Sequence, residues 1–187
     1  MFLVLASGSP RRKEILTEMG IDFCISATDV DESSDEKDPV LLTRMLARRK
    51  AEAAAAQNGT DNIILAADTV VYADGEILGK PRDEADARRM LHILSGSGHN
   101  VVTGICLIKG KTVLVGHDMS TVTFKKLSEA EINEYIATGE AYGKAGGYAI
   151  QGLAGRFVER TEGSISNVIG LSKEKLLEML EEICDEK

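Results

Sequence analysis

The run Ile63-Ile64-Leu65-Ala66-Ala67-Asp68-Thr69-Val70-Val71 constrains this chain more than any other stretch. Its apolar, β-branched character reads as a buried strand, and Asp74-Gly75 then turns the chain into a second strand that ends near Gly79. An ionised carboxylate in so apolar a strand is costly unless a cation or a metal ion partners it. Asp68 therefore points to function, and at the end of a strand it can hold a divalent ion and orient water. The plain alternative is a strand-end cap.

The rest of the chain alternates strands and helices around this hairpin. Met1 to Ala6 forms a first strand, Ser7-Gly8-Ser9 a small-residue turn, and Ser9 with Pro10 opens a helix through Ile15, Leu16 and Met19 that stops at Gly20. Asp22 to Ala27 alternates as a strand. The acidic segment 28–38 is a connector, and Asp38-Pro39 starts an Ala-rich helix to about Gln57, ended by Asn58-Gly59. Asp83 caps a helix through Leu94, and two strands follow over 101–110 and 111–124. Ser128 to Glu131 is a capping box for a helix that ends at Gly139. The Gly-rich stretch 143–155 leads into a strand over 156–161, and Leu176, Leu177, Leu180, Ile183 and Cys184 mark an amphipathic closing helix. Hairpins interrupt the strand–helix alternation, so the expected fold is α/β on a mixed sheet rather than a purely parallel one.

Length and charge bound the function. The 187 residues, without a linker or repeat, read as one domain, 1–187. With 22 Lys+Arg against 30 Asp+Glu the net charge is -8, which argues against stable binding to nucleic acid or to an anionic membrane. Any bound anion must meet a local cluster of cations. Three Cys and three His lack the spacing of a zinc site, and the odd Cys number argues against a disulfide framework, as in a reducing cytoplasm. The apolar start is too short for a signal peptide or a membrane span.

Several cations sit where a cation needs a reason. Arg11, Arg12 and Lys13 open the first helix, although positive charge at a helix N-terminus is unfavourable by roughly 0.3 to 1 kcal/mol per residue. A small-residue turn with free N–H groups at that place is an anion site; the alternative is a solvated basic patch. Lys50 falls beside the apolar stripe of Leu46, Ala53 and Ala54, where Lys is rare without a partner unless its stem reaches solvent. Lys80, between Gly79 and Pro81, is held out on a stiffened backbone. The stretch 75–81 is one residue short of a nucleotide P-loop and carries Pro where Ser or Thr should hold magnesium. Ser95 to His99 contains no nucleophile elbow, so a serine hydrolase is poorly supported. Glu32 closes an acidic loop, and its composition alone marks it as solvated. Cations that grip phosphate, with a carboxylate that binds Mg²⁺ or Mn²⁺ and activates water, point to metal-assisted attack on a polyphosphate.

The chain resembles the Maf family, septum-formation-inhibitor-like proteins that act as nucleoside triphosphate pyrophosphatases. The resemblance covers nearly the whole sequence, on LASGSPRR (5–12), DVDE (29–32), ARRKA (47–51), AADTVV (66–71), LGKP (78–81), LSGSGHNVVTG (94–104), KAGGYAIQG (144–152) and SNVIGL (166–171). It implies hydrolysis between the α and β phosphates to a nucleoside monophosphate and pyrophosphate. It also implies an elongated mixed sheet in two lobes around a cleft, as in inosine triphosphate pyrophosphatases, commonly in a homodimer. Asp68 matches the family's proton acceptor, while Ser7, Arg11, Arg12, Lys50 and Lys80 match its polar and phosphate-binding positions. Glu32 acquires a metal-binding or catalytic role by resemblance alone. Arg11, Thr69 and Gln151 resemble the dTTP/UTP pyrophosphatase subgroup, in which Thr69 and Gln151 can offer donors and acceptors to a pyrimidine edge.

The expected mechanism has Glu32 and Asp68 binding Mg²⁺ or Mn²⁺, with Asp68 activating a water that attacks the α-phosphorus. Arg11, Arg12, Lys50 and Lys80 then hold the outer phosphates. The alternatives are a 7-methyl-GTP or non-canonical purine triphosphate pyrophosphatase, and a nucleotide-sensing regulator of cell division.

Overall fold

The computed structural model describes residues 2–185, and every expected strand forms in it. Met1, included in the expected first strand, lies outside the described residues. The strands are β1 (Phe2–Leu5), β2 (Asp22–Ile25), β3 (Ile63–Ala73), β4 (Glu76–Leu78), β5 (Gly98–Lys109), β6 (Thr112–Phe124) and β7 (Val158–Glu162). The helices are α1 (Pro10–Glu18), α2 (Pro39–Asn58), α3 (Glu84–Leu94), α4 (Glu129–Ala137), α5 (Ile165–Ile169) and α6 (Lys173–Asp185). The sheet runs β2-β1-β3-β5-β6-β7, with β4 paired to β3. β1 is parallel to β2 and β3, and the remaining pairs are antiparallel. This is the mixed sheet that the alternation of helices and hairpins predicts.

The local signals act as their chemistry dictates. The Asp38 carboxylate accepts from the Val40 and Leu41 N–H groups, the Asp83 carboxylate accepts from Asp86, and both halves of the Ser128/Glu131 capping box are made. Asp74 and Gly75, both at positive φ, make the tight β3–β4 turn. Ser9 departs from expectation: it occupies the N-cap position, but its side chain caps nothing and its N–H donates to Ser7 Oγ at 3.2 Å. The sequence reading also lacked α5, a single short turn of helix without an apolar period of its own.

Two lobes result. In the first, α1 and α6 cover one sheet face over Leu5, Leu65 and Leu107, and α2 covers the other over Val4, Ile64, Ala66 and Cys106. In the second, α3 and α4 pack with Val71, Leu78, Phe124, Tyr148 and Phe157. Among the described residues no helix is long and apolar enough to cross a membrane.

The β3 register opens a cleft between the lobes. β1 leaves β3 at Leu5↔Leu65, with a last bond from the Ala6 N–H to the Leu65 carbonyl, and β4 joins β3 only at Leu78↔Val71. Between these points that edge of β3 has no strand partner among the described residues. Asp68 therefore lies inside β3, not at a strand end as expected: the ladder with β5 runs unbroken through Asp68↔Gly104 to Tyr72↔Asn100.

Gly104 lets α2 come down onto this part of the sheet. A Cβ at Gly104 would collide with the Thr43 carbonyl and stand 2.6 Å from the Arg44 nitrogen. Gly104→Ala is therefore expected to lower stability by about 2 kcal/mol in urea unfolding, because rigid backbone would have to move. His99 gives a pH signature. It is buried at 2% exposure against Phe124 and Tyr148, and burial pushes its pKa from 6.5 to about 4. Between these values the unfolded chain binds a proton that the native state refuses, so this stability is full above 6.5 and is lost as pH falls towards 4. Wild type should lose on the order of 2 kcal/mol more than His99→Gln between pH 6.5 and 4.5, read by urea unfolding at both values.

Candidate active site

The cleft, of about 660 Å³, is lined by the β1–α1 turn, the 28–32 loop, α2, the open part of β3, the segment after β4 and the Gly-rich segment around Tyr148. Its charged groups meet at Lys50. The ammonium group donates to Asp68 Oδ1 at 2.6 Å and lies 2.7 Å from Glu32 Oε1. The Lys50 and Asp68 side chains are each 12% exposed, so the choice between a snorkelling and a partnered lysine falls to partnered. An ammonium and a carboxylate this deeply buried are tolerable only as such a pair.

Glu32 reaches the site because α2 holds its loop. Arg49, next to Lys50, donates from Nη1 to the carbonyls of Asp31 and Ser33, both at 3.2 Å, gripping the backbone on either side of Glu32. Burial acts to raise the Glu32 pKa, but the hydrogen bond and charge of Lys50, with Lys80 and Arg12, outweigh it and hold it below the ordinary carboxylate range. Lys80 Nζ lies 3.8 Å from Glu32 Oε2 with its side chain 66% exposed, free to turn towards a ligand.

The paired arginines divide their work. Arg12 donates from Nε to the Gly170 carbonyl at 2.9 Å, from Nη1 to Ser7 Oγ at 3.1 Å and from Nη2 to Thr69 Oγ1 at 3.2 Å. Arg11 lines the cleft, and its side chain makes no hydrogen bond among the described residues. Burial lowers the pKa of both, opposed by Asp68 at Arg12 and by Glu14 at Arg11. Guanidinium groups nevertheless stay charged at neutral pH, so two adjacent cations favour an anion here.

Of the residues singled out in the sequence, Ser7, Arg11, Arg12, Glu32, Lys50, Asp68, Thr69 and Lys80 all line this one cleft. Gln151 does not: it is exposed on the turn after Ile150, which does line it. Lys13 is also outside the lining. Among the lining residues that the sequence reading did not single out are Lys144 and Tyr148. Lys144 donates to the Glu140 carbonyl at 2.8 Å, and Tyr148 is 2.8 Å from His99 Nε2 through its hydroxyl. Both belong to KAGGYAIQG, where the run of glycines was the available signal.

The family model described as Maf-like protein matches residues 2–183. The chain belongs to the Maf-like protein family. Among its relatives, a Chromobacterium violaceum protein named dTTP/UTP pyrophosphatase is 48% identical over 174 residues, covering 90% of this chain and 88% of the relative. One of the same name from Aquifex aeolicus is 42% identical over 183 residues, covering 98% and 96%. A HAM1 protein from Coxiella burnetii, 18% identical, aligns over 100% of both chains with a TM-score of 0.53, which places the two in one fold.

The Lys50–Asp68 pair gives a direct test of coupling. Lys50→Met leaves Asp68 without its cation and should cost about 2 kcal/mol or more in urea unfolding. Asp68→Asn in the same chain should recover most of that loss, giving a double-mutant coupling of 1 kcal/mol or more, on the order seen for contacting charged residues.

Proposed function

We propose that this cleft hydrolyses dTTP and UTP between the α and β phosphates, releasing nucleoside monophosphate and pyrophosphate. The observation that carries it is the convergence of Glu32 and Asp68 on Lys50 in a cleft that also holds Arg11, Arg12 and Lys80. The names of the relatives supply the substrate class.

Each residue has a task. Asp68 Oδ1 is fixed by Lys50, while Oδ2 makes no hydrogen bond among the described residues and takes the proton of the attacking water. Arg11 and Lys80, the least encumbered cations, bind the β and γ phosphate oxygens. Arg12 and Ser7 form the wall against which those oxygens rest. Charge that builds on the departing pyrophosphate is met by these fixed cations, which need little reorganisation.

The donor set suits a magnesium-type ion delivered with the nucleotide. Among the described residues no group of three or more His, Cys, Asp or Glu could hold a metal alone. Magnesium, however, commonly takes one or two carboxylates plus substrate phosphates, and Glu32 and Asp68 supply two. Such an ion would neutralise phosphate charge and favour a nucleophilic water. We infer a homodimer from the family resemblance, and a reducing cytoplasm from the odd cysteine count without a disulfide framework.

Asp68→Asn keeps the shape and removes the base, so pyrophosphate release from dTTP should fall by about 10² to 10⁴-fold. Near-normal turnover by that variant would overturn the assignment. A panel of dTTP, UTP, CTP and 7-methyl-GTP with wild-type protein tests the substrate: preference for 7-methyl-GTP, or nucleotide binding without pyrophosphate release, would contradict it.

A further inference from the structure

Lys80 stands on irregular backbone, residues 79–83, that joins β4 to α3 and supplies part of the cleft wall. Its side chain is exposed, so the reach of the ammonium group is set by where that backbone stands. One end is pinned by the Gly-rich segment. The Gly146 N–H donates to the Gly79 carbonyl at 3.0 Å, and Gly146 has no room for a Cβ, which would stand 2.8 Å from Val71 Cγ2.

The other end is pinned by Asp86, in the first turn of α3. Its Oδ2 accepts from the Arg82 N–H at 3.1 Å and from Arg82 Nε at 3.2 Å, and its Oδ1 accepts from Arg89 Nε at 3.2 Å. The Asp86 side chain is 6% exposed, whereas those of Arg82 and Arg89 are 82% and 46% exposed. Both ion pairs are therefore open to water and contribute little, and the bond to the backbone N–H is the one that burial strengthens. That bond is also the largest cause holding the Asp86 pKa below the ordinary carboxylate range.

The target of that bond is unusual for its place in a helix. Asp83 is the N-cap of α3, and Asp86 stands three residues on, where a capping-box carboxylate reaches back to the N-cap N–H. Glu131 does so at α4, accepting from the Ser128 N–H at 2.9 Å. Asp86 instead takes the N–H of the residue before the cap. The helix start is already served by Asp83, whose Oδ1 accepts from the Asp86 N–H at 2.8 Å, so the Asp86 carboxylate ties down the segment upstream.

We propose that Asp86 is a positioning residue for Lys80, holding the backbone beneath it so that the ammonium group meets the phosphate chain. This rests on the reading above in which Lys80 binds the outer phosphates.

The test is a double-mutant cycle on inorganic tripolyphosphate, bound to the full chain with Mg²⁺ and measured by calorimetry. Lys80→Met should weaken binding by about tenfold, as for a lost hydrogen bond to a charged group. Asp86→Ala should weaken it about fivefold, and Asp86→Asn, which keeps an oxygen for the Arg82 N–H, should stay within about twofold of wild type. In the Lys80→Met background, Asp86→Ala should change affinity by less than about twofold, because the group it positions is gone. A residue that merely stabilised α3 would lower the urea midpoint and act on binding equally in both backgrounds. Asp86→Ser, whose hydroxyl is too short to reach residue 82, carries the same expectations if Asp86→Ala does not fold. Unchanged affinity in the folded Ala or Ser variant, or an equal loss with and without Lys80, would overturn the proposal and leave the hydrolysis reading intact. Wild-type protein that neither binds tripolyphosphate nor releases pyrophosphate from dTTP would remove that reading and the proposal with it.

Discussion

One ammonium group shared by two carboxylates organises this molecule. Lys50 comes from a helix, Asp68 from a buried strand and Glu32 from an acidic loop, and neither Lys50 nor Asp68 is comfortable in its own surroundings without its partner. An unpaired charge at the depth of Lys50 or Asp68 would cost several kcal/mol. The Gly104 contact that lowers α2 onto the sheet and the Arg49 grip on the loop both serve this meeting.

The second constraint is the unpaired edge of β3. Successive residues of a strand face opposite sides, so Asp68 points to α2 and Lys50, whereas Thr69 points to Arg12 and the segment before Leu171. The chain thus brings a candidate base and a hydrogen-bond partner of Arg12 to adjacent positions without crowding them together. Because β3 is held by β5 throughout this stretch, both are mounted on rigid backbone. Chemistry that depends on positioning and fixed charge benefits from such a mount.

Much of this was legible in the sequence, for reasons that differ by residue. Asp68 and Lys50 each broke a local rule, a charge within an apolar pattern, and such breaks mark sites that tertiary structure must satisfy. The helix caps at Asp38, Asp83 and Ser128 were readable because they act within a few residues. Glu32 was opaque to composition, since its partner arrives from another element and its neighbours are ordinary solvated acids. The continuation of β3 beyond Asp68 depends on pairing with β5, a long-range fact. Thr69 is a common strand residue, and its place in the cleft lining follows only from tertiary structure. Gln151 carried a family pattern, yet its side chain lies outside the cleft lining.

The account stands on water attacking the α-phosphorus beside Asp68. Hydrolysis of dTTP in ¹⁸O-labelled water, with the products separated and weighed by mass spectrometry, tests this most directly. The account predicts one labelled oxygen in the nucleoside monophosphate and none in pyrophosphate. Label in pyrophosphate, or orthophosphate as the first product, would contradict it.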